Sequence, residues 1–176
     1  MRFNNQKFNN LVHYICHKCD NAEILGATKL NKILWYCDVF SYRWMGKSMT
    51  GEKYIKRQYG PVPSHIISTL NELEWDGKIA TRDKEYFGHR KKEYISLKRP
   101  DISLFTSDDI SMVDDIIDII CLEHTAKSIS HSTHDRIWEL AEIGEEIPYY
   151  TIFASELGEI TEEDIKWAKG QLKKAA

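Results

Sequence analysis

Apolar positions in the first part of the chain recur at helical spacing. Phe8, Leu11, Val12, Ile15, Cys16 and Cys19 stand three or four residues apart, which predicts an amphipathic helix over residues 5–20, ended by Asp20, Asn21 and Gly26. A second helix is predicted behind a Thr28 cap, burying Leu30, Ile33, Leu34, Cys37, Phe40 or Ser41, and Trp44, and stopping at Gly46. After a turn at Met49-Thr50-Gly51, residues 54–59 read as extended. The two prolines of Gly60-Pro61-Val62-Pro63 forbid a helix through that segment but suit a helix start. Ile66, Ile67, Leu70 and Leu73 then predict a short third helix within residues 62–76, closed at Asp76-Gly77.

The period changes next. Residues 79–82 and 92–97 read as the two strands of an antiparallel hairpin spanning 79–97, with Gly88 in a long charged tip. Helix, break and charged hairpin follow a winged-helix-like order. Beyond Pro100 the helical period returns. Thr106-Ser-Asp-Asp109 opens a helix with the stripe Ile110, Val113, Ile117, Ile120 and Cys121. Ser132-Thr-His-Asp135 opens another, carrying Ile137, Trp138 and Ala141, and Thr161-Glu-Glu-Asp164 caps a last one. The expected fold class is α+β: mainly α with a small antiparallel β hairpin and a winged-helix-like middle. Residues 1–145 are expected to form one domain, and residues 146–176 a C-terminal helical extension packed on it.

Composition narrows the class. Of 176 residues, 42% are apolar and 29% charged, which suits a globular chain. No apolar run approaches the ~20 residues that a membrane helix requires. The first residues open no apolar signal segment, so the cytoplasm is the expected location and no membrane partner is expected. The net charge of −3 conceals a split, +8 over residues 1–100 and −11 over residues 101–176. Such a split provides two surfaces suited to different partners, or to each other.

Little catalytic chemistry is assembled. Cys16 and Cys19 form a C-x-x-C inside a helical pattern, near His13 and His17. No second ligand pair follows, and Cys37 and Cys121 stand alone, so all four cysteines read as buried, reduced thiols. Cys121 and His124 are i,i+3, but a thiol on an apolar stripe is inert. His124, His131 and His134, with Glu123 or Asp135, are the candidate ligands of a metal-dependent enzyme. The nine glycines are scattered, without a phosphate-cradling or dinucleotide-binding pattern. A binding protein with no catalytic residues and no cofactor is therefore expected. A DNA-binding regulator is one alternative, with Arg90, Lys91 and Lys92 on the hairpin touching phosphates. Its leading helix, however, carries Glu72, Glu74 and Asp76 and no cation before Lys78, a charge that repels the groove.

Four separated motifs carry a family resemblance. Lys29, Leu30, Lys32, Ile33, Leu34 and Tyr36 match a Lys-Leu-x-Lys-Leu-Leu-Tyr-Tyr helix, and Gly46 with Met49 a Gly-x-x-Leu turn. Tyr59, Gly60, Pro61 and Val62 match a Tyr-Gly-Pro-Val segment. Further on, Ser130, His131, Thr133, His134 and Trp138 are similar to a Ser-x-x-Thr-His…Trp stretch. Together they resemble the Panacea domain of SocA-like and phage-associated GepA-like antitoxins, over roughly residues 5–140. Trp35 and Met49 depart from the pattern but keep its apolar character. The resemblance implies an antitoxin that neutralises a cognate toxin protein by direct contact, in some members as an adaptor handing the toxin to a protease. It offers Lys29, Lys32, Tyr36, Tyr59, Gly60, Pro61 and Val62 as partner-binding residues. By the residues alone, Lys29, Lys32 and Tyr36 lie on a helix face away from the core, open to an acidic partner or to solvent. The oligomeric state is not legible.

Overall fold

The computed structural model describes residues 2–153, apart from 20, 22, 87 and 135. The helix expected from Thr161 lies outside the described residues, as do residues 154–176 of the expected extension. The order is α1 (Asn5–Lys18), α2 (Ala27–Met45), β1 (Tyr54–Arg57), β2 (Gly60–Pro63), α3 (Ile66–Trp75), β3 (Ile79–Tyr86) and β4 (His89–Ser96). Then come α4 (Ser107–Asp118), a π-helical turn (Ile119–Glu123), α5 (Ala126–His131), α6 (Arg136–Leu140) and a 3-10 turn (Tyr149–Phe153). The protein is mainly helical, with the antiparallel hairpin over 79–97 that the sequence pattern implied and a second two-stranded sheet, β1–β2, that it did not. No described helix is long and apolar enough to cross a membrane.

Helix α1 forms where the stripe predicted it. The Asn4 side chain accepts from the Lys7 N–H at 3.0 Å, and the Cys19 N–H closes the last turn on the Ile15 carbonyl at 3.0 Å. Phe8, Leu11, Val12 and Ile15 are wholly buried. Removing such a side chain from water contributes ~1.5–3 kcal/mol. Helix α2 starts one residue before the expected Thr28 cap: Gly26 is the N-cap and makes no side-chain bond, so Thr28 sits inside the first turn. At the other end Gly46 takes a left-handed φ of 68° and returns its N–H to the Tyr42 carbonyl at 2.9 Å, the expected stop.

The 60–63 segment departs from its expected role as a helix start. It is strand β2, paired with β1 in the register Tyr54↔Pro63, Ile55↔Val62, Lys56↔Pro61 and Arg57↔Gly60. Both prolines lie opposite residues whose backbone polar groups point away from β2. The Lys56 N–H donates to the Glu145 carbonyl at 2.8 Å, and the Gly144 N–H to the Lys56 carbonyl at 2.9 Å. The Tyr54 carbonyl accepts from the Ile147 N–H at 2.8 Å. The missing proline N–H groups therefore cost this ladder nothing. The other hairpin is more regular than expected: β3 and β4 pair over eight residues each, so the tip is short and its charges lie within the strands. Arg82 Nε, for example, donates to the buried Glu93 Oε2 at 2.7 Å.

Buried polar groups tie the 49–54 segment to the helices. Asp38 on α2 is wholly buried and accepts from the Thr50 N–H at 2.7 Å, the Thr50 hydroxyl at 2.7 Å and the Tyr54 hydroxyl at 2.8 Å. Burial pushes its carboxyl up to about 6, against the pull of these donors. Glu52, equally buried, faces His65 Nδ1 at 3.0 Å and accepts from the Lys53 N–H at 2.7 Å.

The second half begins on a Thr106–Asp109 capping box at 3.1 Å in both directions. The helix does not continue regularly to Cys121. It widens into the π-helical turn, which keeps Ile120 and Cys121 inside and leaves Ile119 and Leu122 exposed. Helix α5 was not anticipated, since only Ile129 and Ser130 on it are buried; Thr125 caps it by accepting from the Ser128 N–H at 3.1 Å. The helix expected to open at Ser132 begins instead at Arg136.

Candidate partner-binding cleft and the lysine junction beneath it

Helix α2 aims Lys32 inward. The residue is only 1% exposed, and its Nζ donates to Thr133 Oγ1 at 2.6 Å. Thr133 in turn donates to the Ser130 carbonyl at 2.9 Å, and the Ser130 hydroxyl donates to the Tyr59 carbonyl at 3.0 Å. Gly60 completes the junction. Its φ is +108°, and a Cβ placed there would fall 1.8 Å from Lys32 Nζ and 2.6 Å from Thr133 Oγ1. Glycine is required here both for the backbone angle and for the space the ammonium occupies. Three of the four motif segments thus meet at one lysine; the Gly46–Met49 turn lies apart from it.

This placement corrects the expectation of an open basic face. Lys29 is also buried, its Nζ donating to the Cys121 carbonyl at 3.0 Å. Tyr36 is half-buried, with its hydroxyl 3.4 Å from Ser132 Oγ. Helical periodicity could not show this, because the groups covering both lysines come from about a hundred residues further along the chain. Pro61 is buried and Val62 half-buried, while Tyr59 at the hairpin tip is 58% exposed.

Desolvation holds the Lys32 amine down at about 7, and that of Lys29 is lowered for the same reason first. The sign of the effect on stability follows. An amine that titrates near 7 when folded and near ~10.4 when unfolded binds fewer protons in the fold, so it destabilises most below about pH 7. Stability should rise with pH from there towards the unfolded value. Relative to Lys32→Met, the native protein should gain on the order of 2 kcal/mol between about pH 7 and about pH 9, read from urea unfolding. Parallel pH profiles for the two proteins would refute a buried titrating amine.

Lys56 escaped sequence-based notice, although it alternates with the buried Tyr54 and so faces inward. Its Nζ donates to the Ala141 carbonyl at 3.0 Å and lies 4.0 Å over the Trp138 ring. On Trp138 stacks His134, with centroids 3.6 Å apart and planes at 4°. His134 is held below the ordinary imidazole range by burial first, then by Lys32, His131 and Lys56. The three histidines weighed as candidate metal ligands do not converge. His124 Nδ1 lies 3.2 Å from Ser128 Oγ, His134 packs on Trp138, and the His131 and His134 rings stand 6.1 Å apart. Among the described residues no group of three or more His, Cys, Asp or Glu side chains is placed to hold a metal ion. Cys121, expected to stand alone, instead meets Cys19 at 3.4 Å between sulfurs.

Above the junction the hairpin tip and α5 enclose an open cleft of about 930 Å³, bordered by Thr28, Gln58, Tyr59, Lys127, His131 and His134. No carboxylate is among its described lining residues. Several basic groups of the β3–β4 hairpin face acidic or carbonyl partners. Lys84 pairs with the Glu23 carboxylate, Lys91 donates to the Glu23 carbonyl, and Lys92 stands opposite Asp83. The Arg90 side chain lies outside what the structure describes. On α3, Glu72 accepts from Asn9 Nδ2 at 2.8 Å, and Glu74 accepts from the Thr81 hydroxyl at 2.6 Å.

Fold and junction together define a small helical protein whose distant segments close around a buried lysine below an open cleft. The chain belongs to the family described as antitoxin SocA-like, Panacea domain, whose model matches residues 30–139. The matched span runs from α2 to α6 and includes every residue of the junction; α1 precedes it, yet supplies much of the core. No curated protein and no solved structure shows a significant match to the chain.

Proposed function

We propose that this protein neutralises a toxin protein by direct contact, and that the cleft between the hairpin tip and α5 is where the toxin docks. The observation that supports this reading is the convergence of the antitoxin family's separated motifs on one junction. That junction leaves Tyr59 and His131 exposed at the cleft rim, while the remaining motif residues hold the rim in place. An exposed tyrosine beside Lys127 and His131 suits a partner surface with an apolar pocket and an acidic border, since interface hot spots favour tyrosine and complementary charge. Handing the toxin to a protease would begin with the same contact.

Co-expression with the growth-inhibitory product of a neighbouring gene provides the test. Wild-type chain should restore growth and bind that product in calorimetry, whereas Tyr59→Ala and His131→Glu should each weaken binding about tenfold or more. Failure of the folded wild-type protein both to bind and to rescue would overturn the reading. Rescue confined to hosts with an intact protease would assign the adaptor route.

A further inference from the structure

We infer that Cys19 and Cys121 form a reversible modification site, a thiol pair that peroxide converts to an internal disulfide. Their sulfurs lie 3.4 Å apart, although the residues are 102 positions apart in sequence. Cys19 is the C-cap of α1, and Cys121 sits in the π-helical turn after α4. The backbone of each is therefore held by a different element, and the two sulfurs are in contact, so the S–S bond of about 2.05 Å needs a further approach of the two side chains. The remaining thiols are poor competitors. All four thiols are buried, and burial pushes Cys16 up to about 12 and Cys37 well above the ordinary thiol range. What sets Cys19 and Cys121 apart is the short distance between their sulfurs, which lets a first oxidation be captured by the second thiol.

Within the pair the roles divide. The two thiols share one hydrogen bond in which either sulfur can donate, and the Lys29 ammonium nearby favours a thiolate within the pair. Cys121, slightly the more exposed of the two, serves as the attacking sulfur. Its thiolate attacks one oxygen of hydrogen peroxide, forming an S–O bond as the O–O bond breaks; hydroxide leaves, takes up the proton that Cys121 released and becomes water, and a sulfenic acid remains. The Cys19 sulfur then attacks that sulfenic sulfur. The S–S bond forms, the S–O bond breaks, and a second water leaves with the proton from Cys19. Two electrons pass from the pair to one peroxide. A thiol reductant reverses the step by exchange.

The bond would fasten the end of α1 to the turn that leads into α5, and so to one wall of the cleft. It would also close a loop of about a hundred residues in the unfolded chain, where the effect on stability is large.

The test uses the full reduced chain, treated under native conditions with a slight excess of hydrogen peroxide, quenched by alkylation and digested without reductant. The expected result is a peptide linking Cys19 to Cys121, with Cys16 and Cys37 alkylated only after denaturation. The Tm should rise by about 5–15 °C and return on reduction. Cys121→Ser should show neither the link nor the rise. A stable sulfinic acid without a link, a Cys16–Cys19 link, a link between molecules, or a link that leaves the Tm unchanged would overturn the inference. None of these outcomes depends on toxin binding, so this site and the docking cleft stand or fall separately.

Discussion

Gly60→Ala should destabilise the fold by about 3 kcal/mol or more, because two penalties coincide at one methyl group. A non-glycine residue at φ +108° is strained, and the new Cβ would sit 1.8 Å from the Lys32 amine. The amine cannot move aside cheaply, since it is buried and its hydrogen bond goes to Thr133. Urea unfolding measures the loss, and a double-mutant cycle identifies its source. Lys32→Met ends near the position of the lysine Cε, which lies 3.1 Å from the hypothetical Cβ and can shift. Gly60→Ala should therefore cost less in the Lys32→Met background, by about 1 kcal/mol or more. Equal costs in both backgrounds would show that backbone strain alone explains the glycine.

Asp38→Ala carries the other large effect. It would strand the Thr50 N–H, the Thr50 hydroxyl and the Tyr54 hydroxyl, all of which now end on one buried carboxylate. Each buried donor left without an acceptor costs about 1–3 kcal/mol, so a total near 3–5 kcal/mol is expected, with Tyr54→Phe alone much milder. The Asp38 carboxyl titrates at about 6 in the fold, above its ordinary value. The folded state therefore takes up a proton, and this group's contribution is greatest below about pH 4 and declines as the pH rises through 6. That slope should vanish in Asp38→Ala, which the same unfolding measurement at several pH values would show.

Much of the architecture was legible because it is local. The stripes of α1, α2 and α4 and the alternation of β3 and β4 are each set by neighbouring residues. The parts that were not legible depend on distant chain. Lys29 and Lys32 look like solvent-facing helix positions until the Cys121 carbonyl and Thr133 are brought over them. Cys19 and Cys121 share no spacing that a sequence pattern could reveal. Strand β2 was hidden by its prolines, which argue against a strand unless the register is known, and α5 by its scarcity of apolar residues. The family motifs were recognisable as text, but their physical meaning was not. Lys32, Tyr59, Gly60, Ser130 and Thr133 build the junction, Leu30, Ile33 and Leu34 join the core, and Tyr59 and His131 reach solvent.

The proline positions in β2 also limit how a partner can attach. A chain seeking to add itself as a further strand needs alternating donors and acceptors along an open edge. On the β1 side those groups are already taken by residues 144–147. On the other side Pro61 and Pro63 leave carbonyls but no N–H groups, so β-augmentation is blocked in both directions. If the toxin docks here as proposed, it would be read through side chains at the ribbon's tip, with Tyr59 foremost. Such an interface can change partners by point substitution while the backbone that carries it stays fixed.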